Sequence, residues 1–420
     1  MHIPSDICRL VAEAIRGPES HIRDENKTLA ALSCVNKQWS SAVTPVLWSH
    51  LYFTDEVQDV EHFDRQLAQV SHFLEAPNSR YTKYTTSIVI GVRTPESWKI
   101  LGETRAEAIT SAIQSIISHS SRLKHLHSTC EQSWAPLLLP KISSIPIPNL
   151  ETLYLNWQTL YLNREVYILQ HSVTLDELDE FVRMFLCGVP NLQTLVLASS
   201  FWMPCWSLLK CHNLLPKLQS FKGPLPGIAL FAPAHPLTAV KWTHSFPILT
   251  FCLRVYLGGL SKPFATVTCL SMENPRISLE GGALKELSHC FPALEHIDGF
   301  IMEDPEKFVA LMSDDPERFA QYLPKLKTLI LHGQSPFDET RLKDIDHFYN
   351  STASAFASLR RLFPSIILAT HLECENLEST TTMPPRFLKI SYSFNEEGAV
   401  ERQICVDRRD WHLEFPDDMF

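Results

Sequence analysis

The sequence predicts an α/β protein in which a small three-helix N-terminal segment precedes an irregular solenoid, with parallel strands on one face and helices on the other. Three observations support this prediction. Apolar side chains recur at helical spacing in residues 1–53, a short proline-led pattern recurs along the rest of the chain, and helix-like segments separate its copies. One copy is too short to bury its own apolar face, so neighbouring copies must stack.

The first predicted helix begins at Ser5 or Asp6, either of which is a favourable cap, and extends to about Ile15. Its apolar residues recur at helical spacing and share one face: Ile7, Leu10, Val11, Ala14 and Ile15. The next residues, 17–27, predict a charged loop.

A second helix is predicted to begin after Thr28 as its cap, with an apolar stripe from Leu29 to Val43. Pro45 is predicted to end it, because the residue before a proline is disfavoured in the α conformation. A short third helix is then predicted to begin at Pro45, where proline suits the first helical position.

Together these segments, IPSDICRLVAEAI (3–15) and TLAALSCVNKQWSSAVTPVLWSHLYF (28–53), resemble the F-box motif. The family pattern has an apolar residue before a proline, then Leu-Ser-x-Val-x-Lys-x-Trp, then Pro-x-Leu-Trp. This chain departs from it with Ile3 in place of leucine, Asp6 in place of glutamate and a longer loop between the first two helices. The resemblance covers about an eighth of the chain.

The resemblance implies a partner, the Skp-type adaptor of a Skp–cullin–F-box ubiquitin ligase, and through it a cullin. It implies that the following residues lie at or just beneath the adaptor interface: Pro4, Ile7, Val35, Lys37, Trp39, Leu47 and Trp48. A three-helix segment of this size is marginally stable alone, so a partner that covers apolar surface is physically reasonable. Packing of Trp39 and Trp48 within the three helices remains the alternative interpretation.

After residue 54 a second pattern appears, with a proline, a leucine two residues later and another apolar residue three beyond that. The clearest copies are PNLETLYL (148–155), PNLQTLVL (190–197), PKLQSFKG (216–223), PALEHIDG (292–299) and PKLKTLIL (324–331). Weaker copies are SRLKHLHS (121–128), HPLTAVKW (235–242) and ATVTCLSM (265–272). Helix-like segments lie between copies, including 106–120, 174–188, 279–290 and 305–323.

This alternation of helix, proline and short strand resembles a degenerate leucine-rich repeat that mostly lacks the usual asparagine. The implied organisation is an F-box at 1–53, a helical linker at 54–83, a repeat array at 84–395 and a C-terminal cap or tail at 396–420. One closing strand is expected in the stretch from RFLKISYSF (386–394) to the last residues. The repeat register is undetermined in residues 199–265.

Two stretches do not fit the repeat, FWMPCW (201–206) and the proline-rich FKGPLPGIALFAPAHP (221–236). Phe201, Trp202 and Trp206 are candidate anchors for a target protein, because loops after strands often carry binding residues. The alternative is that these aromatic residues fill an irregular seam between repeats.

Composition and motifs argue against several other functions. The formal charge is −10 and no long basic run occurs, which disfavours nucleic acid and anionic membranes. The 11 cysteines include no CxxC pair, and neither a secretory signal nor an apolar run of membrane-spanning length is present. We therefore expect a cytoplasmic or nuclear protein with reduced thiols.

No phosphate-binding, HExxH or GxSxG motif occurs, so the sequence predicts no catalytic residue and no cofactor. His125 and His127 share a predicted strand face near His119 and Cys130, but solvent-facing histidines need no metal, and no metal site is predicted. The acidic run 314–317 and the pair Asp417 and Asp418 are interpreted as solvated positions.

The sequence thus predicts a non-catalytic substrate receptor of a Skp–cullin–F-box type ubiquitin ligase, whose repeats hold a target protein of unknown identity. An F-box and repeat protein that acts as a scaffold outside a ligase is the alternative. A third hypothesis, an enzyme with its site in the proline-rich central segment, lacks any supporting motif.

Overall fold

The computed structural model describes part of the 420-residue chain. The described residues are 4–15, 22–55, 64–65, 67–68, 71, 74, 78–92, 107–108, 110–130, 140–156, 183–197, 215–223, 236–243, 263–272, 281–302, 321–333, 359–360, 362–374, 387–394 and 400–407. They belong to two compact units. The first unit comprises Met1–Phe201 and Leu214–Lys217, and the second comprises Trp202–Asn213 and Leu218–Phe420.

The first unit begins with three helices, α1 (Ser5–Ile15), α2 (Ile22–Ser33) and α3 (Lys37–Leu47). Its strands follow in chain order: β1 (His50–Asp55), β2 (Ser87–Val92), β3 (His125–Cys130), β4 (Thr152–Asn156) and β5 (Thr194–Leu197). A 3₁₀ helix spans Asn78–Tyr84, and each strand pairs with the next in parallel.

The second unit continues the strand numbering with β6 (Ser220–Gly223), β7 (Ala239–Trp242), β8 (Cys269–Met272), β9 (His296–Met302), β10 (Thr328–Gly333) and β11 (Leu368–Cys374). These strands also pair in chain order and in parallel. Two antiparallel strands, β12 (Phe387–Phe394) and β13 (Val400–Asp407), follow β11, where the sequence predicted one closing strand. The fold is therefore mixed α/β with mostly parallel strands, as expected.

All eight copies of the proline-led pattern carry a strand, which begins four residues after the first residue of each copy. The two apolar positions of every copy are at most 1% exposed, from Leu123 and Leu126 in the first copy to Leu326 and Leu329 in the last. Helical residues that precede two of these strands are buried as well: Ile113 and Ile116 precede β3, and Leu284 and Leu287 lie on α4 (Gly281–Cys290), which precedes β9.

Backbone hydrogen bonds join consecutive copies in the same way. The carbonyl of Lys124 accepts from the amides of Glu151 and Thr152, and the carbonyl of Glu151 accepts in turn from the next copy. Side chains add to this ladder in two copies: Asn149 Nδ2 donates to the Ser121 carbonyl at 2.8 Å, and Asn191 Nδ2 donates to the Pro148 carbonyl at 2.6 Å. In these two copies, the asparagine beside the proline links the copy to the one before it.

The predicted helix boundaries near Pro45 are wrong. The continuous stripe from Leu29 to Val43 is divided at Asn36, whose side chain accepts hydrogen bonds from the amides of Gln38 and Trp39 at 2.9 Å and caps α3. Pro45 lies inside the last turn of α3, where its missing amide removes one hydrogen bond without ending the helix. Residues 22–27, predicted as loop, belong to α2.

The sheet also begins earlier than the sequence indicated. Strand β1 starts at His50 and pairs with β2, so the predicted boundary at residue 53 falls within a strand. The predicted linker contains helical residues between 64 and 74 and the 3₁₀ helix Asn78–Tyr84. Within the described residues, no helix is long and apolar enough to cross a membrane.

Candidate functional site

The three helices share a small core. Ala12, Leu29, Val43 and Val46 are buried in it. The partly buried side chains packed against this core are Ile15, Leu32, Trp39 and Leu47. Short side chains on α1, including the fully buried Cys8, allow the helices to approach closely but supply little apolar area.

Helix α1 turns its larger apolar side chains away from this core. Ile7, Leu10 and Val11 are 47%, 59% and 40% exposed, and Ala14 on the same stripe is also exposed. The sequence grouped Ile15 with this stripe, but Ile15 packs on the core with Ala12. An amphipathic helix normally buries its apolar stripe, so α1 presents a surface that suits a partner.

The start of α3 lies beside the start of α1. Gln38 Nε2 donates to Ser5 Oγ at 3.5 Å, which brings the two N-termini together. Val35, in the turn before α3, is 59% exposed, and Pro4 and Lys37 are exposed as well. We call the exposed set Pro4, Ile7, Leu10, Val11, Val35 and Lys37 the apolar end of the three-helix segment.

The seven residues predicted at an adaptor interface therefore divide into two groups. Pro4, Ile7, Val35 and Lys37 are exposed at the apolar end. Trp39 and Leu47 are half-buried against the helix core, and Trp48 stacks on Tyr81 with ring centroids 5.3 Å apart and planes 8° apart. Trp39 thus packs within the three helices, as the alternative interpretation has it, whereas Trp48 contacts a ring outside them.

Trp48 also connects the helices to the first strands. Its carbonyl accepts from Thr85 Oγ1 at 3.2 Å, and the Ser49 carbonyl accepts from the amides of Thr86 and Ser87 at 2.8 and 3.0 Å. This pair of amide donors repeats the bonding between later copies, so the end of α3 forms the first step of the strand ladder. The apolar end is thereby fixed to the sheet by hydrogen bonds and an aromatic stack.

A groove of about 600 Å³ lies between α1, α3 and the beginning of the sheet. Arg9 and Glu13 line one side, where Arg9 Nε and Glu13 Oε1 are 2.7 Å apart, and Arg122 lines another. With Asp6, the groove holds two carboxylates and two guanidinium groups, so it presents no net charge to a ligand.

Comparison with known proteins gives no relative from which a role could be transferred: no protein-family profile matches the chain, and no characterised protein matches it with significant similarity. The geometry of the described residues is therefore the basis for any functional conclusion.

The histidines of β3 form no metal site. Within the described part of the chain, no group of three or more His, Cys, Asp or Glu side chains is arranged to hold a metal ion. His127 instead contacts the ring of Tyr154, with centroids 3.9 Å apart, and its burial lowers its pKa below the usual value.

Phe201, Trp202 and Trp206, the predicted target anchors, lie outside the described residues, as do the acidic stretches at 314–317 and 417–418. Sequence reasoning missed Leu10 and Val11 as site residues. The signal was present: Cys8 and Ala12, small residues four apart, alternate on α1 with the larger apolar residues, and close packing favours the small set.

Proposed function

We propose that this chain is a non-catalytic substrate receptor of a Skp–cullin–F-box type ubiquitin ligase, in which the apolar end binds the adaptor and the strand repeats hold a target. The observation that carries the proposal is the exposed apolar stripe of α1, together with the exposed Val35 in the turn before α3. A standard protein interface covers about 800 Å² on each partner, and interface centres are richer in apolar side chains than the rim. The F-box resemblance supplies the identity of the partner.

The connection between α3 and the sheet supports the same function. A receptor raises the rate of ubiquitin transfer by holding a target near the conjugating enzyme, which requires a defined geometry between adaptor and target. Trp48, stacked on Tyr81 and bonded through its carbonyl to Thr85, fixes the helices to the first strands. A loosely tethered docking segment would serve this purpose less well.

Co-purification with a Skp-type adaptor tests the proposal. We expect Ile7→Asp and Leu10→Asp in the full chain to abolish binding while the thermal unfolding curve stays unchanged, because both side chains are exposed. Ser41→Asp is the matched control. It adds the same charge at an exposed position of α3, in the groove and outside the apolar end, and it should leave adaptor binding unchanged. Adaptor binding by both α1 variants at the unchanged level would refute the assignment.

Point variants are preferable to truncation here. Removal of residues 1–53 would delete most of β1 and expose the edge of β2, so lost binding and lost folding would be confounded. Addition of a cullin to the purified adaptor complex then separates the two versions of the hypothesis. Recruitment supports a ligase subunit, whereas a stable adaptor complex that excludes the cullin supports a scaffold outside the ligase.

A further inference from the structure

The strands of the first unit have an outer face opposite their inward apolar side chains. Side chains alternate between the two faces of a strand, so the residue after each buried position points outward. In β1 to β5 these residues are directly paired in register: Tyr52, Val89, His127, Tyr154 and Val196. We call them the central row. A second row lies two residues earlier on each strand: His50, Ser87, His125, Thr152 and Thr194.

Neither row of the first unit contains aspartate, glutamate, lysine or arginine, although charged residues make up 20% of the chain. The face is accessible in part: His125 is exposed, and Tyr52, Val89, His127 and Tyr154 are half-buried. Val196 and Ser87 are buried, so the accessible part of the central row lies on β1 to β4. Burial is the cause of the lowered pKa of His127, and this favours its neutral form. An accessible face without charge is unusual, because surfaces that meet only water normally carry charged side chains.

The corresponding positions in the second unit differ. There the outward row contains Lys222 and Lys241 in direct register, followed by Ser271 and Asp298. Asp298 accepts from Ser271 Oγ at 3.0 Å and lies 3.0 Å from His332 Nε2. The absence of charge is therefore a property of the first unit and does not follow from the repeat pattern.

We propose that the central row of the first unit binds an extended, uncharged segment of a partner protein, anchored by aromatic or aliphatic side chains. Burying a charge without a partner is costly, so a face without charges selects a segment without them. Tyrosine rings supply large contact area at low entropic cost. Five adjacent strands span about 20 Å, which suits a peptide laid across the sheet better than a small molecule.

Single-stranded nucleic acid also stacks on aromatic sheet faces, but it requires neighbouring cations for its phosphates. The two rows contain none, and the neighbouring Lys124, next to His125, is paired with Glu151 at 2.8 Å. The inference adds to the proposed function. It rests on that function only in assuming that the bound segment belongs to a target protein.

Selection from a random library of 12-residue peptides displayed on phage, with the full chain as bait, tests the inference. We expect enriched peptides to share apolar or aromatic anchors and to lack charge at the common positions. A synthetic peptide of the enriched sequence should bind Tyr154→Lys and Val89→Lys at least about tenfold more weakly, because each change places a charge in the contact. Gln193→Lys, an exposed position outside both rows, is the matched control and should change affinity less than about twofold.

Circular dichroism and thermal melting of each variant identify any loss of fold, and Val89→Lys leaves the ring contact of Tyr154 with His127 intact. No enrichment, enrichment of charged motifs, or equal affinity for folded Tyr154→Lys and the unchanged chain would overturn the inference. Adaptor binding should be unaffected by the sheet variants. Failure of the adaptor experiment alone would refute the ligase proposal and leave the peptide result standing.

Discussion

Helix α1 and the strand repeats use apolar residues in opposite ways. In the repeats, both apolar positions of every copy are at most 1% exposed, because consecutive strands stack side by side. On α1, the stripe of Ile7, Leu10 and Val11 is exposed, whereas Ala12 lies in the three-helix core and Cys8 is buried. An apolar stripe thus indicates burial where the chain supplies its own cover, and indicates a partner where the chain does not.

The same substitution in the two regions gives the largest expected contrast. Leu153→Ala should lower the free energy of unfolding by about 2–5 kcal/mol, because Leu153 is fully buried and the change leaves a cavity. Leu10→Ala should change it by less than about 0.5 kcal/mol, since the side chain is 59% exposed. Urea denaturation followed by circular dichroism measures both.

The two leucines belong to the same compact unit, so the two variants compare positions within one part of the chain. An equal loss of stability in Leu10→Ala would mean that α1 buries its stripe against the chain in solution. The comparison between α1 and the repeats would then fail, and with it the physical argument for a docking surface.

The strand repeats were predictable because their signal is redundant. Each copy combines two buried positions with a fixed spacing, and all eight copies carry a strand. Two of these strands, β6 and β7, lie in residues 199–265, where the sequence left the register undetermined. Two further copies were missed. KYTTSIVI (83–90) has Thr85 at the leucine position, fully buried and bonded to the Trp48 carbonyl. PSIILATH (364–371) has the small Ala369 at its second buried position.

The three-helix segment was harder to predict because its determinants are local and polar. Periodicity gave the bounds of α1 but not which stripe faced inward, since both stripes recur at helical spacing. The break between α2 and α3 depends on the Asn36 side chain, whereas the apolar stripe continues through it. Trp48 matched the F-box pattern, yet its contact with Tyr81 involves a residue 33 positions later, beyond any local signal.

Gly299 provides a second way to test how firmly the repeats are packed. Its φ of +91° is in the region that favours glycine, and it lies where the β9–β10 register shifts. A Cβ atom there would lie 2.5 Å from the Met272 carbonyl oxygen. We expect Gly299→Ala to destabilise the second unit by about 1–3 kcal/mol, measured by urea denaturation.

Gly188→Ala is the control for that change, because a Cβ at Gly188 would meet its closest neighbour at 3.2 Å and Gly188 has no positive φ. Gly188→Ala should lower the free energy of unfolding clearly less than Gly299→Ala does. If the two alanine variants lose the same stability, the bulge at Gly299 does not constrain β9 as the geometry indicates.

The smallest expected effect concerns pH and sharpens the contrast between the two units. Burial lowers the pKa of His127 from 6.5. Burial also lowers the pKa of His296; there the charge of Glu295 opposes the shift and the charge of Lys327 adds to it. As pH falls below 6.5, the unfolded chain takes up these protons before the folded chain does, so stability decreases until the folded pKa is passed.

His127→Phe keeps an aromatic ring against Tyr154 and removes the titration of His127. Between pH 7 and pH 5, the stability of the first unit should therefore fall less in His127→Phe than in the unchanged chain, as measured by thermal melting. His296→Phe is the control and should leave the pH dependence of first-unit stability unchanged. Identical pH dependence for His127→Phe and the unchanged chain would show that His127 is protonated as readily in the folded as in the unfolded chain. The outer face of the first unit would then be more solvated than its lack of charge suggests.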